Sequence, residues 1–142
     1  ALALNPKLII ADEAVSALDV RDLGTYLNLM MELQADLGLS YLFISHDMAV
    51  VERVSHDVGV MYLGRIVEMG PRQAVFENPQ HPYTQALKQA VPIADPKTRK
   101  SELDLNFKPI PSPIHPVSYE PVPSEYQQIS ADHFVLTTDS GY

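Results

Sequence analysis

The chain has 142 residues, of which 46% are hydrophobic and 20% are charged, which is ordinary for a globular protein with a buried core. Basic residues number 10 and acidic residues 18, so the formal charge is −8. No segment concentrates Lys or Arg, which argues against nucleic acid or anionic lipid as the primary partner. The absence of cysteine excludes disulfides and thiolate metal sites. No apolar run could span a bilayer and the first residues lack signal-peptide features, so work at a membrane would require docking to another protein.

A strand and a helix are predicted near the start of the chain. The run Leu8-Ile9-Ile10-Ala11 is short and apolar and ends at Asp12-Glu13, which is typical of a strand buried on both faces of a parallel sheet. Residues 21–37 carry one apolar stripe at helical spacing, and Gly38 is a natural C-terminal stop for that helix. The stripe consists of Leu23, Tyr26, Leu27, Met30, Leu33 and Leu37.

A second strand is predicted at residues 41–45, another short apolar run, which ends at His46-Asp47. Asp47 is suited to cap a helix that runs through Val54. Strand, helix and strand together form a βαβ unit. Its crossover is almost always right-handed, which leaves the two strands parallel.

Polar side chains follow both predicted strands at the point where each strand ends. The carboxyl ends of parallel strands meet at one edge of the sheet, where open α/β sheets bind ligands. We therefore expect Asp12, Glu13 and His46 to converge at that edge.

The middle of the chain predicts a hairpin and a further helix. Residues 58–62 and 65–69 flank Leu63-Gly64 and are typical of a β-hairpin. A last helix is predicted from about Pro82 to Ala90, because proline is tolerated in the first helical turn.

The composition changes near Val91-Pro92, and we divide the chain there into a predicted compact part, residues 1–94, and a proline-rich extension, residues 95–142. We expect the extension to be loosely ordered, with one short strand at 133–137. Seven of the 12 prolines lie in it: Pro96, Pro109, Pro111, Pro113, Pro116, Pro121 and Pro123.

The carboxylates at the first strand end have two interpretations. Asp12 could hold Mg²⁺ beside nucleotide phosphates, and Glu13 could orient the attacking water. The alternative is that both are solvated, helix-capping charges at a strand end. His46 could likewise be a helix-entry residue, and Asp19 could simply start the helix that follows. The other histidines, His56, His81, His115 and His133, are expected at the surface or in packing, without metal-ligand spacing.

At this point the sequence closely resembles the ABC-transporter ATPase family. The stretch LIIADEAVSALD from Leu8 is similar to its Walker B motif and D-loop, and His46 within ISHD matches its switch histidine. The resemblance implies part of a P-loop NTPase fold, an α/β parallel sheet with flanking helices. It also implies that Asp12 helps to hold Mg²⁺, Glu13 is the catalytic base and His46 contacts the γ-phosphate of ATP.

Two details of the motif bear on its partners and on its departures from the family. By the same resemblance, Ser16 and Asp19 in the D-loop would communicate with the nucleotide site of a partner ATPase. The family more often has Pro and Thr where Ala14 and Val15 stand. Those positions carry no chemistry, so the departure affects the subfamily and leaves catalysis unaltered.

A second resemblance narrows the subfamily. Residues 76–84, FENPQHPYT, look like the extension of oligopeptide, dipeptide and nickel importer ATPases. With residues 62–71, the similarity is closest to the glutathione and dipeptide import members. From the residues alone, Asn78-Pro79 and His81-Pro82 are turn and helix-entry signals, and the role of this stretch is expected to be structural.

Some parts that the family requires are missing from these 142 residues. There is no G-x-x-x-x-G-K-S/T phosphate loop, no glutamine lid loop and no LSGGQ-type signature. We therefore expect the chain to be the C-terminal part of a longer ATPase domain, with negligible ATP affinity and no turnover alone. The expected partners are a second ATPase domain or subunit, transmembrane permease subunits and, indirectly, a solute-binding protein, at the cytoplasmic face of the plasma membrane.

Two other interpretations remain open at the level of sequence. A soluble ABC ATPase without a transport role would share the same motifs. Alternatively, residues 95–142 could form a non-enzymatic module that binds a partner through proline-rich segments. The residues suited to such contacts are Tyr119, Pro121, Pro123 and Tyr126.

Overall fold

A computed structural model describes residues 5–15, 19–90, 117–118, 120 and 123–137. The chain divides into two compact units, Ala1–Ser55 and His56–Tyr142. Both combine helices and strands, which confirms the predicted α/β class. Among the described residues, no helix combines the length and apolar character needed to cross a membrane.

The first unit contains the predicted βαβ element. Strand β1, Leu8–Asp12, pairs in parallel with strand β2, Ser40–Ile44, in a register that sets Leu8 opposite Ser40 and Asp12 opposite Ile44. Helix α1, Val20–Leu37, makes the crossover. It ends at Gly38, whose φ of +62° is the left-handed conformation that glycine adopts without steric cost.

Helix α1 packs the first part of its apolar stripe against the sheet and a second helix, whereas Leu37 at its end is exposed. Leu27 lies at the centre with Val15 and Val50, and the half-buried side chains around them are Leu23, Tyr26, Phe43 and Val54. The second helix, α2, Met48–Val54, begins after Asp47 as predicted. Asp47 Oδ1 accepts hydrogen bonds from the backbone N–H groups of Ala49 and Val50, at 2.9 Å and 3.3 Å.

The prediction that the first strand is buried on both faces is wrong for the described chain. Successive side chains of a strand point to opposite faces, and only one face of the β1–β2 pair packs against the helices. The other face exposes apolar side chains, with Ile10 63% exposed. Its members are Leu8, Ile10, Leu42 and Ile44.

The second unit is built on a four-stranded antiparallel sheet of order β3-β4-β6-β5. Strands β3, Asp57–Tyr62, and β4, Arg65–Pro71, form the predicted hairpin. Both residues of its two-residue turn have positive φ, +47° at Leu63 and +79° at Gly64, which is the combination that matches the twist of paired strands.

Two helices pack against strand β4. Helix α3, Arg72–Glu77, is absent from the sequence prediction because its six residues are too few to show a helical period. Helix α4, Pro82–Ala90, has the predicted bounds. The ring of Tyr83 packs on that of Tyr62, with centroids 4.1 Å apart.

The C-terminal extension contributes a hairpin to this sheet. Strands β5, Tyr126–Ser130, and β6, His133–Leu136, are antiparallel, and β6 pairs with β4. The predicted strand at 133–137 is confirmed, whereas β5 is absent from the sequence prediction because its polar, exposed residues give no apolar signal. The proposed division at residue 94 stays a prediction, and the sheet contains strands from both sides of it.

Candidate functional site

The carboxyl ends of β1 and β2 bring the predicted site residues together. Asp12 lies opposite Ile44, and the backbone N–H of Glu13 donates to the carbonyl oxygen of Ile44 at 2.9 Å, which extends the ladder by one bond. Glu13 is held at φ +45°, in the left-handed region. For a residue other than glycine this conformation costs about 1–2 kcal/mol, and such strain concentrates at functional sites.

His46 is fixed by the residues on either side of it. The backbone N–H of Asp47 donates to Ser45 Oγ at 3.1 Å, while the Asp47 carboxylate caps helix α2. The segment after β2 is therefore hydrogen-bonded immediately before and after His46. This local structure follows from the sequence Ser-His-Asp, because serine and aspartate side chains bond readily to nearby backbone amides.

Glu13 and His46 form the central pair of the site. His46 Nδ1 lies 3.4 Å from Glu13 Oε1, a long contact for a hydrogen bond. Both side chains are open to solvent, Glu13 at 58% and His46 at 76% exposure. A carboxylate and an imidazole so placed can exchange protons with a bound water or contact an anionic ligand.

Asp12 offers an exposed carboxylate beside this pair, at the end of β1. Among the residues that the structure describes, no group of three or more His, Cys, Asp or Glu side chains could hold a metal ion. This donor set still fits Mg²⁺, which proteins commonly bind through one or two carboxylates together with substrate phosphates and water.

Of the two D-loop residues, the structure describes Asp19. Ser16 lies outside the described residues. Asp19 occupies the N-cap position of α1, where its carbonyl oxygen accepts from Leu23 N–H at 2.8 Å, but within the described residues its side chain makes no capping bond. Asp19 therefore starts α1 as that alternative expected, and its role in communication with a partner site stays a prediction.

Val15 is a residue whose contribution the sequence analysis missed. Its side chain is buried in the core formed with Leu27 and Val50. It therefore anchors the chain just after Glu13 to both α1 and α2. The one sequence signal for this role was an apolar residue two positions beyond the carboxylate pair, where the family more often has a threonine.

A second glutamate–histidine cluster, also missed, lies in the second unit. Glu68 on β4 is completely buried. Its Oε1 accepts from Gln80 N–H at 2.9 Å and lies 2.7 Å from His133 Nε2, and its Oε2 accepts from His81 N–H at 3.0 Å. A buried carboxylate requires such partners, because an unpaired one is strongly unfavourable.

His81 is bonded through both its backbone and its ring. Its Nδ1 accepts a hydrogen bond from Tyr83 N–H at 3.1 Å, which requires that nitrogen to be unprotonated. Burial lowers the pKa of His81, and the nearby Glu68 carboxylate acts in the opposite direction. His81 is thus a structural residue of the loop before α4, which agrees with the structural role expected for this stretch.

Comparison with known proteins agrees with the motifs at the strand ends. The family model "Oligopeptide/dipeptide transporter, C-terminal region" matches residues 67–115. The glutathione import ATP-binding protein GsiA of Pectobacterium atrosepticum is 60% identical over 135 residues, covering 95% of this chain and 22% of that protein. Its Escherichia coli counterpart is 57% identical over 142 residues, covering 100% of this chain and 23% of that protein.

Over 95–100% of its length the chain is similar to glutathione import ATP-binding proteins, and its residues 67–115 match the C-terminal region of oligopeptide/dipeptide transporters. The predicted resemblance is thereby confirmed. The chain spans less than a quarter of the length of the curated relatives that it matches, at 22% and 23%.

Proposed function

We propose that this chain is part of the ATP-hydrolysing subunit of an ABC importer for peptides of the dipeptide, oligopeptide or glutathione type. The observation that carries the proposal is the meeting of Glu13 and His46 at the carboxyl edge of two parallel strands. The names of the relatives, glutathione import ATP-binding proteins, support ATP as the nucleotide and a small peptide as the solute.

Each residue of the edge has a role in this proposal. Glu13 is the base that takes a proton from the attacking water, and His46 contacts the γ-phosphate. Asp12 would hold Mg²⁺, and the ion would supply charge neutralisation at the phosphates. Ser16 and Asp19 communicate with the nucleotide site of the partner ATPase. The exposure of Glu13 and His46 supports these roles, because a nucleotide can reach both side chains.

The remaining contacts to ATP come, in this proposal, from outside these 142 residues. The chain contains no G-x-x-x-x-G-K-S/T loop to hold the phosphates. The complete assembly then comprises this subunit, a second ATPase domain or subunit, transmembrane permease subunits and a solute-binding protein. Its ATPase part works at the cytoplasmic face of the inner membrane.

The proposal is tested by Glu13→Gln in the whole protein that carries this chain. Loss of the base is expected to lower ATP turnover by about 10²–10⁴-fold while ATP binding is retained. Glu32→Gln is the matched control, because Glu32 is an exposed acidic residue of α1 away from the strand ends. Full turnover by Glu13→Gln would sink the catalytic assignment.

Transport is tested separately with the same variants. Uptake of glutathione or dipeptides should fall in parallel with ATP turnover in Glu13→Gln and remain normal in Glu32→Gln. ATP turnover that depends on Glu13 but drives no uptake of any peptide would instead identify a soluble ATPase of the same family.

A further inference from the structure

The C-terminal hairpin and the loop before α4 meet at one carboxylate. We name residues 78–82 the proline loop and strands β5 and β6 the C-terminal hairpin. Glu68 accepts the backbone N–H groups of Gln80 and His81 from the proline loop, and its Oε1 also contacts His133 Nε2 of the hairpin. Glu68 and His133 are almost wholly inaccessible to solvent, at 0% and 3% exposure.

We propose that the C-terminal hairpin is a strap that fixes the proline loop, with His133 acting as a positioning residue through Glu68. Among the described residues no hydrogen bond joins His133 to the backbone of the loop, so the hydrogen-bonded path from His133 to the loop passes through the shared carboxylate. When His133 donates to Oε1, it sets the orientation in which both carboxylate oxygens face the loop amides.

The proline loop has few other attachments to the sheet. Pro79 and Pro82 have no N–H group, so Gln80 and His81 supply the only backbone donors between them. Apart from the bonds to Glu68, the hydrogen bonds of the described residues of the loop run within the loop or to α3 and α4. One of them joins Gln85 Nε2 to Pro79 O at 3.0 Å. The orientation of one side chain therefore controls how the loop is bound to β4.

The hairpin is held against β4 by contacts that position His133 next to Glu68. The pairs Glu68–Val135 and Met69–Phe134 join β4 to β6, and Tyr126 Oη donates to the carbonyl oxygen of Ile66 at 2.9 Å. Removal of the hairpin would uncover the Glu68 carboxylate and let water compete for both of its oxygens. Docking of the hairpin and ordering of the proline loop are therefore coupled, although the two are more than forty residues apart in sequence.

The experiment is amide hydrogen exchange on His133→Ala in the whole protein. Deuterium uptake is measured in two peptides with the same first residue, one ending at Asn78 and one ending at Pro82. The difference between them reports the amides of Gln80 and His81 alone, because Pro79 and Pro82 have no amide hydrogen. Loss of a hydrogen bond to a charged group is expected to accelerate exchange at these two amides by about tenfold or more. His133→Gln, which keeps a donor, should show a smaller acceleration.

The control is Thr137→Ala, which removes another hairpin side-chain bond, Thr137 Oγ1 to Glu125 O at 3.2 Å, without touching Glu68. Its exchange at Gln80 and His81 should match the wild type. Unchanged exchange at the two amides in His133→Ala would overturn the proposal. So would equal acceleration in Thr137→Ala, or an acceleration in both His133 variants that is uniform over β3 and α4, since His133 would then act only on general stability.

Discussion

The two units use the same pair of residue types in opposite ways. In the first unit Glu13 and His46 are 3.4 Å apart and largely exposed, whereas in the second unit Glu68 and His133 are 2.7 Å apart and buried. The exposed pair is accessible to water or a ligand. The buried pair is not accessible to solvent, and the backbone amides of Gln80 and His81 donate to its carboxylate.

This difference separates a pair available for chemistry from a pair that maintains structure. An exposed ion pair contributes little to stability, whereas removal of one partner from a buried pair leaves the other without compensation. Substitutions at the two glutamates should therefore have opposite profiles: loss of turnover with normal stability at Glu13, and loss of stability at Glu68.

The largest effect on stability is expected for Glu68→Ala. This substitution leaves His133 and two backbone amides without their hydrogen-bond acceptor in a buried site. It should lower the free energy of unfolding of the second unit by about 3–5 kcal/mol. Glu13→Ala is the matched change in the exposed pair. It should alter the free energy of unfolding of the first unit by no more than about 0.5 kcal/mol. Native-state hydrogen exchange of β4 and β2 amides in the whole protein measures both. Equal losses for the two variants would show that the comparison is mistaken.

A smaller effect is expected for Gly70→Ala on β4. A Cβ atom there would lie 3.1 Å from three atoms of the hairpin, namely Asp132 O, His133 Cα and His133 Cδ2. This overpacking should weaken docking of the C-terminal hairpin by about 1–3 kcal/mol. Hydrogen exchange of the β6 amides measures this weakening of hairpin docking.

The first unit offers the control for this change. Gly24 in α1 has open space where an added methyl group would lie, with nothing within 4 Å of that position. Gly24→Ala should therefore stabilise the first unit by about 0.5–1 kcal/mol, since alanine is the better helix former. A neutral Gly70→Ala would contradict the close fit of the hairpin to β4, and a destabilising Gly24→Ala would contradict the open space at Gly24.

The sequence predicted those features that depend on neighbouring residues. The apolar stripe of α1, the Asp47 cap and the Leu63-Gly64 turn are all local patterns, and the structure has each of them. The convergence of Glu13 and His46 was also predictable, because the two strands of a βαβ unit are parallel and their carboxyl ends meet at one edge of the sheet.

The features that were missed depend on distant partners. Glu68 is one acidic residue in an otherwise ordinary strand, and its burial is explained by His133, 65 residues away. The uncovered face of β1 and β2 depends on what else packs on the sheet, which the apolar runs of those strands cannot reveal. Strand β5 is exposed along its whole length and therefore lacks the alternation that signals a half-buried strand.

The smallest expected effect concerns pH and the buried network around Glu68. Burial lowers the pKa of His81 below its ordinary value of 6.5, and Glu68 opposes this change. His81 therefore binds a proton more readily in the unfolded chain than in the folded chain. The stabilising contribution of neutral His81 is thus complete above pH 6.5 and is lost as the pH falls below that value. His81→Asn keeps a side-chain acceptor for the Tyr83 amide but cannot titrate.

Comparison of wild type with His81→Asn isolates this contribution, because every other residue is common to both proteins. From about pH 7.5 to about pH 5.5, the second unit of the wild type should lose stability relative to the variant by less than about 1 kcal/mol, since solvent screens a half-buried group. Exchange of the α4 amides at each pH gives the difference. A difference that is constant with pH would mean that the Nδ1 acceptor is not held in its neutral form by the fold.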